Sequence, residues 1–269
     1  MLVFPNAKIN IGLNIVEKRP DGFHNIESCF YPVGWSDALE ITQAEQFSFH
    51  ADGIAIPGNA SDNLCIKAYE MLRSDYHLPP VKIHLLKTVP IGAGLGGGSA
   101  DAAFAIKALN QLFNLNISVG EQEEYARRIG SDCAFFIRNK PMYCFGKGDE
   151  FDAIDINISG KWIALVNPGI HISTVEAYSG VVAKRSTGDL RTILSGPITG
   201  WKDHVRNDFE ATLFQKYPLL ADTKDKLYDL GAEYAAMSGS GSTLFGIFKE
   251  EQNVKQHFPD FRLWQGFLR

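Results

Sequence analysis

The residues whose types and spacing best suit chemistry form a glycine-rich segment near the middle of the chain. Five glycines lie among the seven residues 92–98, and Ser99 and an alanine-rich run follow directly. Glycine lets the backbone approach a ligand closely, and the amides at a helix N-terminus attract anions. We therefore predict a phosphate-binding loop, followed by a helix that Ser99 caps and that runs to Phe113. The alternative is a tight turn between a strand and a helix, although such a turn needs fewer glycines.

This glycine segment differs from the two best-known nucleotide-binding patterns. It does not end in the Gly-Lys-Ser/Thr of a P-loop. A dinucleotide-binding fold also carries an acidic residue about 20 residues further on, at the end of a second strand, whereas here a predicted helix and a polar linker occupy that region. Bound phosphates must then be held by the loop amides and by single lysines from other parts of the chain.

Lys8 is the first candidate lysine. Residues 7–15 alternate strictly between apolar odd positions and polar or small even positions, which predicts a strand with one buried face. Lys8 and Asn10 share the other face, and Gly12 leaves space beside them. The pattern is compatible with a functional site and with an ordinary solvated face.

Lys87 is the second candidate lysine. Residues 81–86 predict a strand that leads into Lys87, Pro90 and the glycine segment. A solvated lysine at the end of a strand is the alternative. Upstream, Asn63 and Leu64 open a predicted helix that ends near His77, and residues 46–56 predict a weak hairpin.

Asp132 is the candidate carboxylate. It follows Gly130 and Ser131 and precedes a largely apolar run to Ile137, so we expect it at a helix start and partly buried. Ser-Asp before an apolar run is typical of an N-cap. A catalytic carboxylate is the second interpretation, because a general base must lie within reach of the proton that it removes.

Two further loops carry candidate binding groups. Residues 20–22 read Pro-Asp-Gly, a turn, and Phe23 and His24 follow at once. A ring beside an imidazole suits a flat ligand, whereas a Phe that returns to the core is the alternative. Residues 238–242 contain only serine and glycine, between predicted strands at 232–237 and 243–248. This loop is either a flexible hairpin tip or a second set of backbone donors that faces the glycine segment across a cleft.

Composition limits the classes of function. The chain has 269 residues and a net charge of −5, which argues against a surface that coats nucleic acid. Its four cysteines are widely spaced, as expected of free thiols in a reducing compartment. The N-terminus lacks the pattern of a signal peptide, and no apolar run is long enough to cross a bilayer. We expect a cytoplasmic protein with no nucleic-acid or membrane partner.

These segments together resemble the GHMP kinases, the superfamily that includes galactokinase, homoserine kinase and mevalonate kinase. Three motifs carry the resemblance across the chain: Pro5 to Asn10, Pro90 to Ala103, and Met237 to Ser242. Within the superfamily the chain is most similar to the 4-diphosphocytidyl-2-C-methyl-D-erythritol kinase family. Two motifs indicate this closer similarity: Ala-Lys-Ile-Asn at residues 7–10 and Arg-Pro-Asp-Gly-Phe-His at residues 19–24.

The resemblance implies an α+β fold with two domains and an active site in the cleft between them. Residues 1–156 would form an N-terminal domain like domain 2 of ribosomal protein S5. Residues 157–269 would form a ferredoxin-like α/β C-terminal domain. The assembly implied is a monomer or a weak homodimer.

The resemblance also implies a role for each matching residue. Asp132 would be the general base, with Lys8 as its catalytic partner. ATP and Mg²⁺ would be required, Ser99 being the metal ligand. The ATP-binding residues would be Asn63, Leu64, Lys87, Pro90, Gly92, Gly94, Leu95, Gly96, Gly97, Gly98 and Ser99. The residues that bind the small-molecule substrate would be Asn10, Phe23, His24, Thr174 and Tyr178, with Phe23 and Tyr178 stacking on the cytosine that His24 reads.

The implied reaction is phosphorylation of the 2-hydroxyl of 4-diphosphocytidyl-2-C-methyl-D-erythritol, in the non-mevalonate route to isoprenoids. Another GHMP kinase activity, on mevalonate or homoserine, is the nearer alternative, and a non-catalytic ligand sensor is the more distant one. The chain departs from the family at Ala100, where a second serine is frequent, and at Phe23, where tyrosine is frequent. It also looks short for the family after residue 180.

Overall fold

The computed structural model describes residues 1–184 and 188–268. The strands are β1 (Leu2–Val3), β2 (Asn6–Lys18), β3 (His24–Ser36), β4 (Ala38–Gln43), β5 (Ser48–Gly53), β6 (Val81–Lys87), β7 (Met142–Phe145), β8 (Glu150–Ala153), β9 (Trp162–Asn167), β10 (Tyr234–Met237), β11 (Leu244–Phe248) and β12 (Arg262–Phe267). The helices are α1 (Leu64–Tyr76), α2 (Gly97–Leu112), α3 (Val119–Ile129), α4 (Cys133–Arg138), α5 (Thr174–Ser179), α6 (Leu190–Ser195), α7 (Trp201–His204), α8 (Glu210–Lys216) and α9 (Pro218–Asp229). Among these residues, no helix is both long and apolar enough to cross a membrane.

Two compact units interleave along the sequence. The first contains Met1–Ala7, Trp35–Ile91 and Gly96–Lys140. The second contains Lys8–Gly34, Gly92–Leu95 and the described residues from Pro141 onward. The predicted boundary between residues 156 and 157 lies inside the second unit, and the linear division into two domains stays a prediction.

The first unit is a sheet covered by helices on one face. Its strand order is β1-β4-β6-β5, and α2 packs on β4 beside α1, α3 and α4. Along β6 the side chains of Val81, Ile83 and Leu85 are buried, whereas Lys82 and Leu86 are exposed. This alternation assigns one face to the core and leaves the other face open.

The expected hairpin at residues 46–56 is wrong. β5 is an edge strand that pairs in parallel with β6, and not with β4, so that Ser48 lies opposite Lys82 and Gly53 opposite Lys87. β6 is therefore central, with β4 antiparallel on one side and β5 parallel on the other. A pairing between strands so distant in sequence leaves no turn signal for a local pattern to detect.

The second unit contains two sheets. Their strand orders are β2-β3-β7-β8 and β10-β11-β9-β12. In the second of these sheets β9 pairs antiparallel with β11 and β12, and all of its residues are buried. A backbone bridge between Leu13 and Asn207 and a shared core that includes Leu13, Ile15 and Phe209 join β2 to the helical segment around α8.

Candidate active site

The glycine segment adopts a backbone that glycine is needed to form. Gly92, Gly94 and Gly96 have φ angles of +63°, +78° and +67°. These angles lie in the left-handed region, which residues with a Cβ rarely enter. Gly96 is the N-cap of α2 with no side-chain cap hydrogen bond, so the expectation that Ser99 caps this helix is wrong. The helix begins at Gly97, before the expected position, and Ser99 lies in its first turn.

The start of α2 retains the features of an anion site. The first amides of a helix have no acceptor within the helix, and the helix dipole adds positive potential there. Ala100 N–H makes the first bond back to Gly96, which leaves Gly97, Gly98 and Ser99 as the amide donors of this turn. A Cβ built on Gly98 would lie 3.9 Å from Leu64 Cδ1, so the predicted adenine-binding residue lies beside the loop. Asn63 caps α1 by accepting a hydrogen bond from the Cys65 amide.

Within the second unit, residues 92–95 contact the serine–glycine loop directly. The Ser238 hydroxyl donates to Gly94 O over 2.8 Å, and a Cβ on Gly94 would lie 1.9 Å from Ser238 O. Asn207 Nδ2 donates to the carbonyls of Met237 and Gly239, both over 2.8 Å, and so fixes the backbone of the serine–glycine loop. We expected the serine–glycine loop to face the glycine segment across a cleft. For residues 92–95 this expectation is wrong, because the two loops are in direct contact.

The polar face of β2 is buried, so the solvated alternative is wrong. Lys8 is 3% exposed and Asn10 is 2% exposed. Lys8 Nζ donates to Asn10 Oδ1 over 2.5 Å and lies 4.2 Å from the centre of the Phe30 ring. Asn10 Nδ2 donates to Ser28 Oγ over 2.9 Å, and the Asn10 amide donates to Ser238 Oγ over 3.1 Å. Asn10 thus fixes the lysine. Ser28, which bonds to Asn10, and Phe30, which contacts the lysine, carry no local sequence signal of these roles.

Lys87 lies inside the first unit in a cluster of buried charges. Its ammonium donates to Asp37 and, over 2.8 Å, to Asp101. Burial disfavours the ammonium, but the two carboxylates outweigh it and raise the pKa of Lys87. Asp37 Oδ1 also accepts hydrogen bonds from the amides of Thr88 and Val89, over 2.6 and 2.9 Å. This cluster fixes the segment from Thr88 to Pro90 that enters the glycine loop.

Asp101 is the member of that cluster whose charged form is disfavoured. Burial raises its pKa to about 7, against the attraction of Lys87. Among the described residues, Asp101 Oδ1 is one of the few buried side-chain oxygens or nitrogens without a hydrogen-bond partner. A Cβ on Gly97 would lie 3.2 Å from Lys87 Nζ, so this lysine lies directly beneath the first turn of α2.

Asp132 stands at the helix start, as predicted. It is the N-cap residue of α4 and half-buried, but its side chain makes no capping hydrogen bond. Its Oδ1 lies 3.4 Å from the Ser131 hydroxyl. Nearby, the Cys133 thiol hydrogen-bonds with Ser99, and burial raises the pKa of this thiol to about 12. The predicted pairing of Asp132 with Lys8 stays a prediction.

His24 and Tyr178 lie together in the second unit. Their rings stack with centroids 4.6 Å apart, and the edge of Tyr178 meets Phe209. Burial, with a smaller effect of Lys18, lowers the pKa of His24 and favours the neutral imidazole. Phe23 is 60% exposed, with the Lys147 ammonium 5.6 Å from its ring centre. Thr174, the first residue of α5, is exposed.

Comparison with known proteins gives matches over most of the chain. Residues 63–140 match the family described as GHMP kinases N terminal domain, and residues 191–258 match GHMP kinases C terminal. A 4-diphosphocytidyl-2-C-methyl-D-erythritol kinase of Cytophaga hutchinsonii is 54% identical over 92% of both chains. One from Parabacteroides distasonis is 47% identical over 100% of both chains. The expectation of a shortened C-terminal region is therefore wrong for these relatives.

Solved structures agree with the sequence matches. A crystal structure of 4-(cytidine 5'-diphospho)-2C-methyl-D-erythritol kinase superposes with a TM-score of 0.83 at 27% identity, covering 99% of this chain and 98% of the other. The homoserine kinase of Cytophaga hutchinsonii gives a TM-score of 0.71 at 15% identity, over 98% and 94% of the two chains. The predicted two-domain α+β fold is confirmed.

Proposed function

Because this chain belongs to the 4-diphosphocytidyl-2-C-methyl-D-erythritol kinases, a family of GHMP kinases, we propose that it phosphorylates the 2-hydroxyl of that cytidylyl compound with ATP. One hydrogen bond in this chain supports the proposal directly. The Lys8 amide donates to Leu95 O over 2.9 Å, so the strand that holds the buried lysine is bonded to the phosphate loop itself. A cation beside bound phosphates is what phosphoryl transfer requires.

The phosphates of ATP bind at the glycine segment. The amides at the start of α2 and the positive end of its dipole stabilise their negative charge. Asn63 and Leu64, at the start of α1, border the adenine. The side chain of Lys87 contributes indirectly, because its ion pairs with Asp37 and Asp101 fix the backbone that leads into the loop.

The residues present suit Mg²⁺, the ion that such transfers use. Mg²⁺ prefers oxygen ligands and takes only a few from the protein, keeping phosphate oxygens and waters as the others. Ser99 Oγ is such a donor, half-buried in the first turn of α2 and hydrogen-bonded with Cys133. The bound ion would neutralise charge on the phosphates.

Asp132 acts as the general base. The substrate hydroxyl is a weak acid, so its proton moves to the Asp132 carboxylate as the oxygen attacks the terminal phosphorus of ATP. The bond between that phosphorus and the bridging oxygen breaks, and ADP leaves. Lys8, held by Asn10 and Phe30, stabilises the charge that develops on the attacking oxygen.

The cytosine binds at the Phe23–His24 turn. The ring of Tyr178 already stacks on the His24 imidazole, with centroids 4.6 Å apart, and packs at a steep angle against Phe209. We therefore assign the stacking contact to the exposed ring of Phe23 and the hydrogen bonding to the neutral imidazole of His24. Tyr178 then holds that imidazole in place, and Thr174 lies at the start of the same helix.

The direct test is product formation by the purified chain. With ATP, Mg²⁺ and 4-diphosphocytidyl-2-C-methyl-D-erythritol we expect ADP and a substrate heavier by one phosphoryl group, detected by mass spectrometry. Mevalonate and homoserine are the matched alternative acceptors and should give no product. Turnover of either alternative without turnover of the cytidylyl compound would contradict the proposal. ATP binding without any turnover would instead favour a ligand sensor.

A further inference from the structure

Two histidines and an aspartate lie together on the open face of the first unit's sheet. His50 and Asp52 are on the edge strand β5, and His84 is on β6. The parallel register places His50 opposite His84, and Asp52, two residues further along, lies on the same face. None of the three belongs to the glycine segment or to the proposed catalytic residues.

The donor atoms of these residues already converge. His84 Nε2 lies 2.8 Å from one oxygen of Asp52, and His50 Nε2 lies 3.3 Å from the other. One ligand atom from each residue falls within 4.8 Å of the others. The hydrogen bond from His84 lowers the pKa of the Asp52 carboxyl, which favours its anion.

We propose that His50, Asp52 and His84 form a binding site for one divalent transition-metal ion, of which Zn²⁺ is the type. Ligands at 2.0–2.2 Å from a tetrahedral ion are about 3.3–3.5 Å apart, so the three donors need only small shifts to share one ion. Imidazole nitrogen with one carboxylate selects Zn²⁺, Co²⁺ or Ni²⁺ over Mg²⁺ and Ca²⁺, which prefer oxygen. Water completes the coordination.

A neighbouring carboxylate favours a cation at this position. Glu40 on β4 is the register partner of His84 on its other side, so a second carboxylate belongs to the same face of the sheet. The ion would connect β5, an edge strand with a neighbour on one side only, to the central strand β6. Metal binding would therefore hold the edge strand in place and stabilise the folded chain by mass action.

Zn²⁺ titration of the untagged chain tests this proposal. After dialysis against a chelator, the protein is titrated with Zn²⁺ in excess Mg²⁺, which occupies sites of oxygen ligands. We expect one equivalent bound by the wild type, and binding weaker by about 10-fold or more in His50→Gln, His84→Gln and Asp52→Asn. His257→Gln, an exposed histidine elsewhere, is the matched control and should bind as the wild type does.

Co²⁺ supplies a second, spectroscopic measurement. Its visible absorption should show the intense bands of four-coordinate cobalt in the wild type, and these bands should be lost in His84→Gln. The melting temperature without metal should be nearly unchanged in each variant, because all three side chains lie on a solvent-facing surface. Equal Zn²⁺ binding by His50→Gln, His84→Gln and wild type would overturn the proposal, as would a wild type that binds no Zn²⁺.

Discussion

At the scale of single residues, the carboxylate of Asp132 decides whether the site is catalytic. It stands at the start of α4, and its side chain makes no capping hydrogen bond to that helix. We expect Asp132→Asn to lower kcat by about 10²–10⁴-fold, since the amide cannot accept the proton. The dissociation constant for ATP should change little, and both quantities can be measured by steady-state kinetics and equilibrium binding.

The control for this substitution is Asp260→Asn, an exposed aspartate remote in sequence from every proposed site residue. It should leave both constants at wild-type values. Near-normal turnover by the Asp132→Asn enzyme would remove Asp132 from the role of base.

Phe23 is the residue proposed to stack on the cytosine, so its substitution should affect the two substrates differently. Its ring is 60% exposed and contributes little to the core, so Phe23→Ala should leave the fold intact. We expect KM for the cytidylyl substrate to rise by about 5-fold or more, because base stacking is worth about 1–3 kcal/mol. KM for ATP should not change. Phe4→Ala, with 59% exposure, is the matched control, and a parallel rise of both KM values would rule out the stacking assignment.

At the scale of elements, the glycine segment includes one very close backbone approach, between Gly94 and Ser238. Gly94→Ala places a Cβ 1.9 Å from Ser238 O, whereas Gly58→Ala, at a φ of +91°, meets nothing within 4 Å. Both variants carry the cost of a left-handed alanine, about 1–2 kcal/mol. We expect Gly94→Ala to lose at least about 1 kcal/mol more in urea unfolding and to bind ATP more weakly. Equal losses in the two variants would contradict the importance of the contact.

The buried charges beneath α2 predict a pH dependence of stability. The pKa of Asp101 is about 7 in the folded chain, above its ordinary value of 3.8, so the folded state holds this proton more tightly than the unfolded state does. The stabilisation is complete below about pH 4 and is lost as the pH rises through about 7. It changes by at most about 1.4 kcal/mol per pH unit.

Asp101→Asn should remove this dependence. Urea unfolding at several values between about pH 5 and pH 8 should show the wild type losing stability relative to the variant as the pH rises. Asp260→Asn should keep the wild-type profile. An Asp101→Asn profile parallel to that of the wild type would show that another group titrates in this range.

At the scale of the whole molecule, charge sets the partners. A net charge of −5 argues against an extended basic surface that would attract polyanions. We expect no retention on a heparin column at about 0.15 M salt, where screening already weakens non-specific contacts. Retention that salt reverses would contradict the expectation that the chain has no nucleic-acid partner.

Much of this fold follows from local patterns, and the exceptions have a common cause. The alternation around Lys8, the cap at Asn63 and the glycines of residues 92–98 are local features, and the structure places strand, helix and loop accordingly. The pairing of β5 with β6 and the hydrogen bond that the Lys87 ammonium donates to Asp37 join residues far apart in sequence. Asp37 lies between two strands, where aspartate is common as a turn residue. No local pattern therefore distinguishes an aspartate that pairs with a buried lysine from one that only forms a turn.

The serine–glycine loop has a practical consequence for anyone handling the protein. Residues 238–242 have the composition of a linker, which proteases cut readily and into which tags are often inserted. Here Ser238 and Ser242 are fully buried, and Asn207 holds the carbonyls on either side of Ser238. A broad-specificity protease should therefore spare this loop in the native chain. A permuted terminus or an inserted tag at this position would separate Ser238 from Gly94.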